Sequence, residues 1–144
     1  MATCTAYGEV RTYDQREGVR ATSNNVCLKE QIRGSQLKML THIVHSVQNP
    51  NFLYVFSQEG HPIMVDRRMD MRVVRKMPGA KGTIRDAKII SIDAKEEKGS
   101  GTEYIFTVGC DRHLRVFDPS ERFQAHTSFA ATFLKQKLNC LCFV

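Results

Sequence analysis

The sequence predicts an all-β protein built from four-stranded units that repeat every 52 residues. Short apolar or alternating runs, separated by turn residues, recur along the 144-residue chain and are typical of strands. An apolar residue followed by Asp closes three of these runs, at Tyr13-Asp14, Val65-Asp66 and Phe117-Asp118. Another apolar residue lies twelve positions before each Asp, at Ala2, Tyr54 and Phe106. A β-rich repeat of roughly 40–50 residues is typical of propeller blades.

The individual strands follow from the apolar runs and from the turn residues between them. We predict strands at 2–7, 9–14, 19–28, 37–46, 51–57, 61–66, 71–77, 84–92, 103–109, 113–118, 123–133 and 138–143. Turn signals such as Glu59-Gly60 and Pro78-Gly79 lie between them. Residues 29–40 are compatible with a short helix or with a loop and then a strand, and Gly34 favours the loop.

These strands form a single partial propeller over residues 1–144, with about three blades. Its parts are an incomplete blade over 1–28, complete blades over 37–77 and 84–133, and a lone inner strand over 138–144. Each complete blade runs from an inner strand through two middle strands to an outer strand.

Composition favours an intracellular protein with acidic partners. Hydrophobic residues make up 42% of the chain, and the net charge is +6. No apolar run approaches the roughly 18–20 residues of a membrane span, and the N-terminus lacks a signal-peptide pattern. The five cysteines are odd in number and include no C-x-x-C pair, which argues against disulfides. Cys140 and Cys142 share one face of their predicted strand, and we expect them to be buried.

One hairpin, over residues 108–118, reads Val-Gly-Cys-Asp-Arg-His-Leu-Arg-Val-Phe-Asp. It resembles the signature of the WD-repeat family, in which Gly precedes a turn Asp and the next strand ends in Trp-Asp. Asp111 stands at the turn position, and Phe117-Asp118 stands where the family has Trp-Asp. The resemblance implies that Asp111 accepts hydrogen bonds across the blade. The first two repeats lack the turn Asp, and Lys81–Arg85 replaces the family's Gly-His.

Three strings carry a closer resemblance: Gly-Thr-Ile-Arg at 82–85, the 109–116 hairpin, and Phe-Leu-Lys-Gln-Lys-Leu-Asn-Cys-Leu at 133–141. They are similar to the C-terminal third of the WD repeat-containing protein 74 family, also called the Nop-seven-associated ribosome assembly factors. This resemblance implies a non-catalytic scaffold for large ribosomal subunit biogenesis and rRNA processing in the nucleus and nucleolus. It implies three kinds of partner: pre-ribosomal particle proteins, rRNA, and an AAA-type ATPase that removes the scaffold.

Without the family resemblance, the residues predict only a positively charged propeller scaffold. Two alternatives to the ribosome-assembly function therefore stay open. One is a WD-repeat interaction scaffold in an unrelated pathway, such as ubiquitin-ligase substrate reception or chromatin. The other is a small self-assembling lectin-like propeller. Because the family propeller has seven blades, we expect this chain to be a fragment, a truncated gene model, one piece of a protein made in parts, or a self-assembling unit. Its missing blades or further copies of itself are then partners.

Positive charge concentrates between residues 67 and 88. The predicted contacts for rRNA or an acidic partner are Arg67, Arg68, Arg72, Arg75, Lys76, Lys81, Arg85 and Lys88. A second explanation is a solvated outer strand whose cations protect a sheet edge. Arg85 is expected at the propeller's top face, or else in an ion pair with Asp86 or Asp111. Arg112 and His113, on the best hairpin, are further candidates for that face.

The repeated aspartates and Phe117 are predicted to be structural. Asp111 is expected to bond to nearby backbone in its turn, and Asp14, Asp66 and Asp118 to close the second strand of each hairpin. No catalytic motif, metal site or cofactor is predicted, since the sequence holds no H-E-x-x-H or phosphate-binding loop. His42 and His45 are three residues apart and are expected on opposite faces of a strand.

Overall fold

The computed structural model describes residues 1–13, 16, 26–27, 39–79, 81–92, 101–120 and 128–143. Within this part of the chain, eleven strands and one short 3-10 helix form three antiparallel sheets. The predicted all-β class is therefore confirmed. Asp14 and most of the predicted strand 19–28 lie outside the described residues. In the described part, no helix has the length and apolar character needed to cross a membrane.

Each sheet is a meander of strands that are consecutive in the chain. Sheet A contains β1 (Ala2–Cys4), β2 (Glu9–Thr12) and β3 (Val26–Cys27). Sheet B contains β4 (Leu40–His45), β5 (Phe52–Ser57), β6 (Ile63–Asp66) and β7 (Arg72–Lys76). Sheet C contains β8 (Ile84–Ile92), β9 (Thr102–Gly109), β10 (His113–Phe117) and β11 (Ala130–Phe133). The 3-10 helix, Arg67–Met69, connects β6 to β7.

The 52-residue recurrence is also a recurrence of strand register. Equivalent pairs across the middle of the three sheets are Ala2 with Thr12, Tyr54 with Met64, and Phe106 with Val116. Both members of the pair advance by 52 residues from one sheet to the next. Because side chains alternate between the two faces of a strand, equivalent residues point to equivalent faces.

Each sheet therefore has two faces that can be named consistently. The forward face carries Ala2, Tyr54 and Phe106 in sheets A, B and C, and the rear face carries the residue that follows each of them. The forward face of one sheet packs on the rear face of the next. The three sheets consequently stack in the order A, B, C, which is compatible with the packing of blades.

Two apolar clusters fill the spaces between the sheets. Between sheets A and B lie Val10, Leu40, Leu53, Val55, Ile63, Val65 and Met71. Between sheets B and C lie Tyr54, Phe56, Met64, Met77, Ile84, Ala87, Ile105 and Phe117. Phe117, one of the predicted structural residues, is thus a buried member of the second cluster. Burial of these side chains from water provides the main attraction between the sheets.

The predicted inner strand over 138–144 is wrong for the described residues, which end at 143 and form no strand after β11. A strand needs a neighbouring strand for its backbone hydrogen bonds. Here the Leu141 N–H donates instead to the Asp86 carboxylate, at 2.8 Å. Cys140 and Cys142 are exposed, so their predicted burial was wrong for the same reason.

Candidate partner-binding surface

The positive segment between residues 67 and 88 does not form one continuous surface. The sheets have a turn end, with the short turns at 58–62 and 110–112, and a loop end, with the 46–51 loop and the 3-10 helix. Strand β7 crosses from the loop end to the turn end, and β8 begins at the turn end. The cations near residue 67 are therefore separated from those near residue 85 by the length of a strand.

At the loop end, the cations have local partners. The Asp66 carboxylate accepts hydrogen bonds from the Arg68 backbone N–H at 2.8 Å and from its guanidinium at 2.9 Å. These bonds lower the pKa of Asp66. Arg67 donates to the Pro50 carbonyl at 3.2 Å. Arg72 is exposed at the start of β7.

Along the outer strand, two cations hold neighbouring elements. Arg75 donates to the Ser120 carbonyl at 3.1 Å and so connects sheet B to the chain that follows β10. The Lys76 ammonium lies 3.4 Å from the Glu59 carboxylate. Lys88 lies apart from both, exposed on the forward face of sheet C.

Asp111 organises the turn between β9 and β10. Its carboxylate accepts the His113 N–H at 3.2 Å and the Lys81 N–H at 3.4 Å, and it pairs with the guanidinium of Arg115. Arg115 is only 8% exposed, so its charge is balanced within the sheet by Asp111. Arg112 adopts a left-handed conformation (φ 63°) at the tip of the turn.

Close approach explains the Gly that precedes this turn. A Cβ added to Gly109 would lie 2.6 Å from the Thr83 carbonyl oxygen, which accepts a hydrogen bond from the Cys110 N–H. The chain leading into β8 therefore packs directly against the turn. The Asp that closes the hairpin bonds the same way in the second and third repeats: Asp66 accepts the Arg68 N–H at 2.8 Å, and Asp118 accepts the Ser120 N–H at 2.7 Å.

Four exposed cations surround the Asp111 turn, and we call them the turn cluster: Lys81, Arg85, Arg112 and Lys135. The Lys81 N–H reaches Asp111, and the Arg85 Nε donates to Cys110 Sγ at 3.3 Å. The Leu134 N–H donates to the Arg112 carbonyl, which places Lys135 at the same turn. None of the four makes an ion pair within the described part of the chain.

The turn end also contains groups that sequence reasoning missed. Lys135 is remote in sequence from the basic segment, and only the turn brings it there. Phe133 is 59% exposed, and its ring lies 5.2 Å from that of His113. An exposed aromatic ring beside cations is suited to stacking on a nucleobase. Burial, followed by the charge of Lys76, lowers the pKa of His61 in the neighbouring turn and so disfavours its charged form.

The described residues hold no group of three His, Cys, Asp or Glu side chains that could ligate a metal ion. His42 and His45 lie on opposite faces of β4, as predicted, because they pair with Phe56 and Leu53 on β5. A pocket of about 290 Å³ opens at the loop end between sheets A and B. Its polar lining residues, His45 and Arg67, both contact the Pro50 carbonyl.

Comparison of the sequence with protein-family models and with curated proteins found no match. The family resemblance therefore rests on the residues of this chain alone.

Proposed function

We propose that the protein is a non-catalytic scaffold with WD-type propeller blades that acts in the assembly of the large ribosomal subunit in the nucleolus. Three stacked meanders with a common register support the propeller part of this proposal. The pathway comes from the resemblance of three strings, at 82–85, 109–116 and 133–141, to the WD repeat-containing protein 74 family.

The turn cluster is the observation that carries the binding proposal. Its four cations are exposed, whereas the carboxylate of this turn, Asp111, is already paired with buried Arg115. Among the residues that the structure describes, the cluster therefore presents positive charge with no ion-pair partner, on a turn held by a sheet. Loops and turns fixed by such a scaffold are common positions for partner contacts.

The chemistry favours phosphate groups as the ligand, and rRNA in a precursor particle as their source. Lysine and arginine side chains contact phosphates and release condensed counterions. The logarithm of the binding constant therefore falls with the logarithm of the salt concentration, with a slope of roughly −0.7 per phosphate contact on single strands. Exposed Phe133 would add a stacking surface for an unpaired base. In the proposed scaffold, particle proteins and the releasing AAA-type ATPase bind other surfaces.

Two double charge reversals test this proposal with a matched control. Lys81→Glu/Arg112→Glu changes the turn cluster, and Arg67→Glu/Arg72→Glu changes the loop end by the same charge. Each tagged chain is purified from cells at several salt concentrations, and its association with large-subunit precursors and rRNA is measured. We expect the turn-cluster variant to lose association by tenfold or more at physiological salt, with a shallower salt dependence. The control should keep both.

Two results would overturn the proposal. Equal loss for the two double variants would remove the assignment of the turn cluster. Recovery of ubiquitin-ligase adaptors or chromatin proteins, without precursor rRNA, would favour a WD-repeat scaffold in an unrelated pathway.

A further inference from the structure

One turn position distinguishes sheet C from the other two sheets. The turns between β1 and β2, between β5 and β6, and between β9 and β10 are equivalent by the 52-residue register repeat. The same position in these turns is occupied by Gly8, Gly60 and Arg112, and all three have a positive φ, of 83°, 86° and 63°. Sheets A and B therefore have glycine where sheet C has arginine.

The turn itself does not require an arginine at this position. A left-handed backbone is unfavourable for a residue with a Cβ atom, whereas glycine adopts it readily. The Arg112 side chain is exposed and makes no ion pair within the described residues, so its charge is not used inside the described fold. Residues held in unfavourable backbone conformations cluster at active sites and ligand-binding sites. Arg112 therefore has the properties of a binding residue.

The adjacent strand places an aromatic ring beside Arg112. The Leu134 N–H donates to the Arg112 carbonyl at 2.6 Å, and Phe133 pairs with His113, so Arg112 and Phe133 are diagonal neighbours on two adjacent strands. The His113 Nδ1 lies 2.8 Å from the Asp111 carbonyl oxygen. A carbonyl oxygen only accepts, so this nitrogen donates, and the bond fixes the imidazole that lies against the Phe133 ring. Phe133 is thus an exposed ring in a fixed position.

From these observations we propose that Arg112 and Phe133 bind one unpaired nucleotide of a single-stranded RNA. The guanidinium contacts its phosphate, and the phenyl ring stacks on its base. The other cations of the turn cluster contact neighbouring phosphates. This site deepens the proposed function, on which it rests, by naming the form of RNA that the turn cluster binds.

The composition and extent of the site favour a single strand over a duplex. In a duplex the bases are stacked on one another, so Phe133 has no free base to contact. Proteins that recognise duplex RNA by its shape contact a surface of roughly 16 base pairs. The cations at the loop end are a strand's length away, and Arg68 is paired there with Asp66. The described residues offer no extended basic surface of that kind.

Removal of the ring tests the stacking contact in the full chain. The probes are a fluorescently labelled single-stranded RNA of about ten nucleotides and a duplex of the same sequence, and anisotropy is measured at several salt concentrations. Phe133→Ala should weaken binding of the single strand by roughly five- to a hundredfold, without a change in duplex affinity or salt slope. Phe133→Tyr keeps a stacking ring and should retain the affinity. Phe129→Ala is the matched control, since Phe129 is 56% exposed at the opposite end of β11.

Replacement of the arginine tests the phosphate contact without loss of the fold. Arg112→Gly gives the turn the residue found in sheets A and B, so its melting temperature should not fall. Its affinity for the single strand should fall, and the salt slope should become shallower by roughly 0.7. Weaker binding by a variant that is at least as stable as the wild type is not an effect of unfolding.

Different results would remove this site and the proposed function. Equal affinity of the wild type for single strand and duplex would overturn the single-stranded site but not the rRNA scaffold. The same holds if Phe133→Ala binds like the wild type, if Phe129→Ala loses as much affinity, or if Arg112→Gly binds unchanged. A wild-type chain that binds neither RNA would overturn the site together with the phosphate-binding role of the turn cluster.

Discussion

The two interfaces inside the stack differ in the side chains that form them. Between sheets A and B, only non-aromatic residues such as Val10, Leu53 and Val55 meet in the buried cluster, with Ala2 and Cys4 at the margin. Between sheets B and C, the aromatic side chains of Tyr54, Phe56 and Phe117 are buried together. Aromatic residues bury a larger area and prefer particular ring arrangements, so the second interface is both stronger and more specific in geometry.

Polar connections add to this difference. Glu103 of sheet C is 4% exposed, and one of its carboxylate oxygens accepts the Ser46 hydroxyl and the Val47 and Gln48 N–H groups of sheet B, at 2.8–3.0 Å. The His42 ring nitrogen lies 3.5 Å from the Asp86 carboxylate.

These bonds require particular distances, whereas apolar burial is non-directional. The comparison indicates that apolar burial holds sheets A and B together. Polar bonds also determine how sheets B and C are aligned.

The largest expected effect comes from neighbouring residues of β5 that point to opposite interfaces. Phe56→Ala opens a cavity between sheets B and C and should lower the free energy of unfolding by about 3–5 kcal/mol. Val55→Ala, toward sheet A, should cost about 2 kcal/mol, since fewer methyl groups are lost. Both side chains are fully buried, so exposure does not confound the comparison. Equal losses in urea unfolding would contradict the claim that the interfaces differ.

Removing the turn carboxylate should have the next largest effect. Asp111→Ala leaves Arg115 without its carboxylate partner, and both side chains are largely buried. Loss of one partner of a buried pair costs roughly 3–5 kcal/mol, and partial exposure reduces our expectation to about 2–3 kcal/mol. In sheet A, Glu9→Ala removes the equivalent partner from half-exposed Arg11 and should cost less than about 1 kcal/mol. Similar losses of thermal stability in both variants would argue against this distinction.

The Glu103 connection should contribute about 2 kcal/mol to stability. Glu103→Ala leaves the Ser46 hydroxyl and two backbone N–H groups without their acceptor, and unsatisfied buried donors cost about 1–3 kcal/mol. Glu103→Gln keeps a carbonyl oxygen and is the matched control, with about half the loss. Hydrogen exchange of the Val47 and Gln48 amides should quicken in the alanine variant. Unchanged exchange would show that the carboxylate does not hold this loop.

Alkaline pH should weaken the interface between sheets B and C, and we expect this to be the smallest of the four effects on stability. Burial, followed by the nearby charge of Glu103, raises the pKa of Tyr54. Because the pKa of Tyr54 is higher in the folded than in the unfolded protein, the neutral hydroxyl stabilises the fold, and this contribution is fully present below the ordinary tyrosine pKa of about 10. It is lost as the pH rises further, at about 1.4 kcal/mol per pH unit.

Tyr54→Phe should flatten this decline between pH 9 and 11, as measured by urea unfolding at each pH. The control, Tyr104→Phe, removes the hydroxyl of a tyrosine that is only partly buried, on the forward face of sheet C. A decline of the same slope in the Tyr54 variant would disprove the role of this hydroxyl.

Strand positions followed closely from apolar alternation and turns. Strand β8 spans Ile84–Ile92, as predicted, and β9 begins one residue earlier than predicted, at Thr102. The segment 138–144 has the same apolar character, yet its described residues form no strand. The local apolar pattern indicates which residues are able to form a strand. A strand forms only where a neighbouring strand supplies backbone hydrogen-bond partners.

The surface was harder to predict for a related reason. The eight cations between residues 67 and 88 are close in the sequence, but strand β7 places them at opposite ends of the sheet. Three of them, Arg68, Arg75 and Lys76, bind groups of the protein itself: Asp66, the Ser120 carbonyl and Glu59. Lys135 joins the turn cluster although it is far away in the chain. Buried Glu103 gave no signal because charged residues in sequence are expected at the surface.

The 52-residue repeat was readable from the amino acids, because strand alternation and turn chemistry are local properties. It specified the all-β class, the hairpin register and the equivalence of faces. Tertiary structure alone decided which cations of the described residues make no ion pair and which carboxylates are buried and paired. Those outcomes depend on contacts between residues distant in the chain, and side chains of identical type acquire different roles according to which neighbours the packing brings to them.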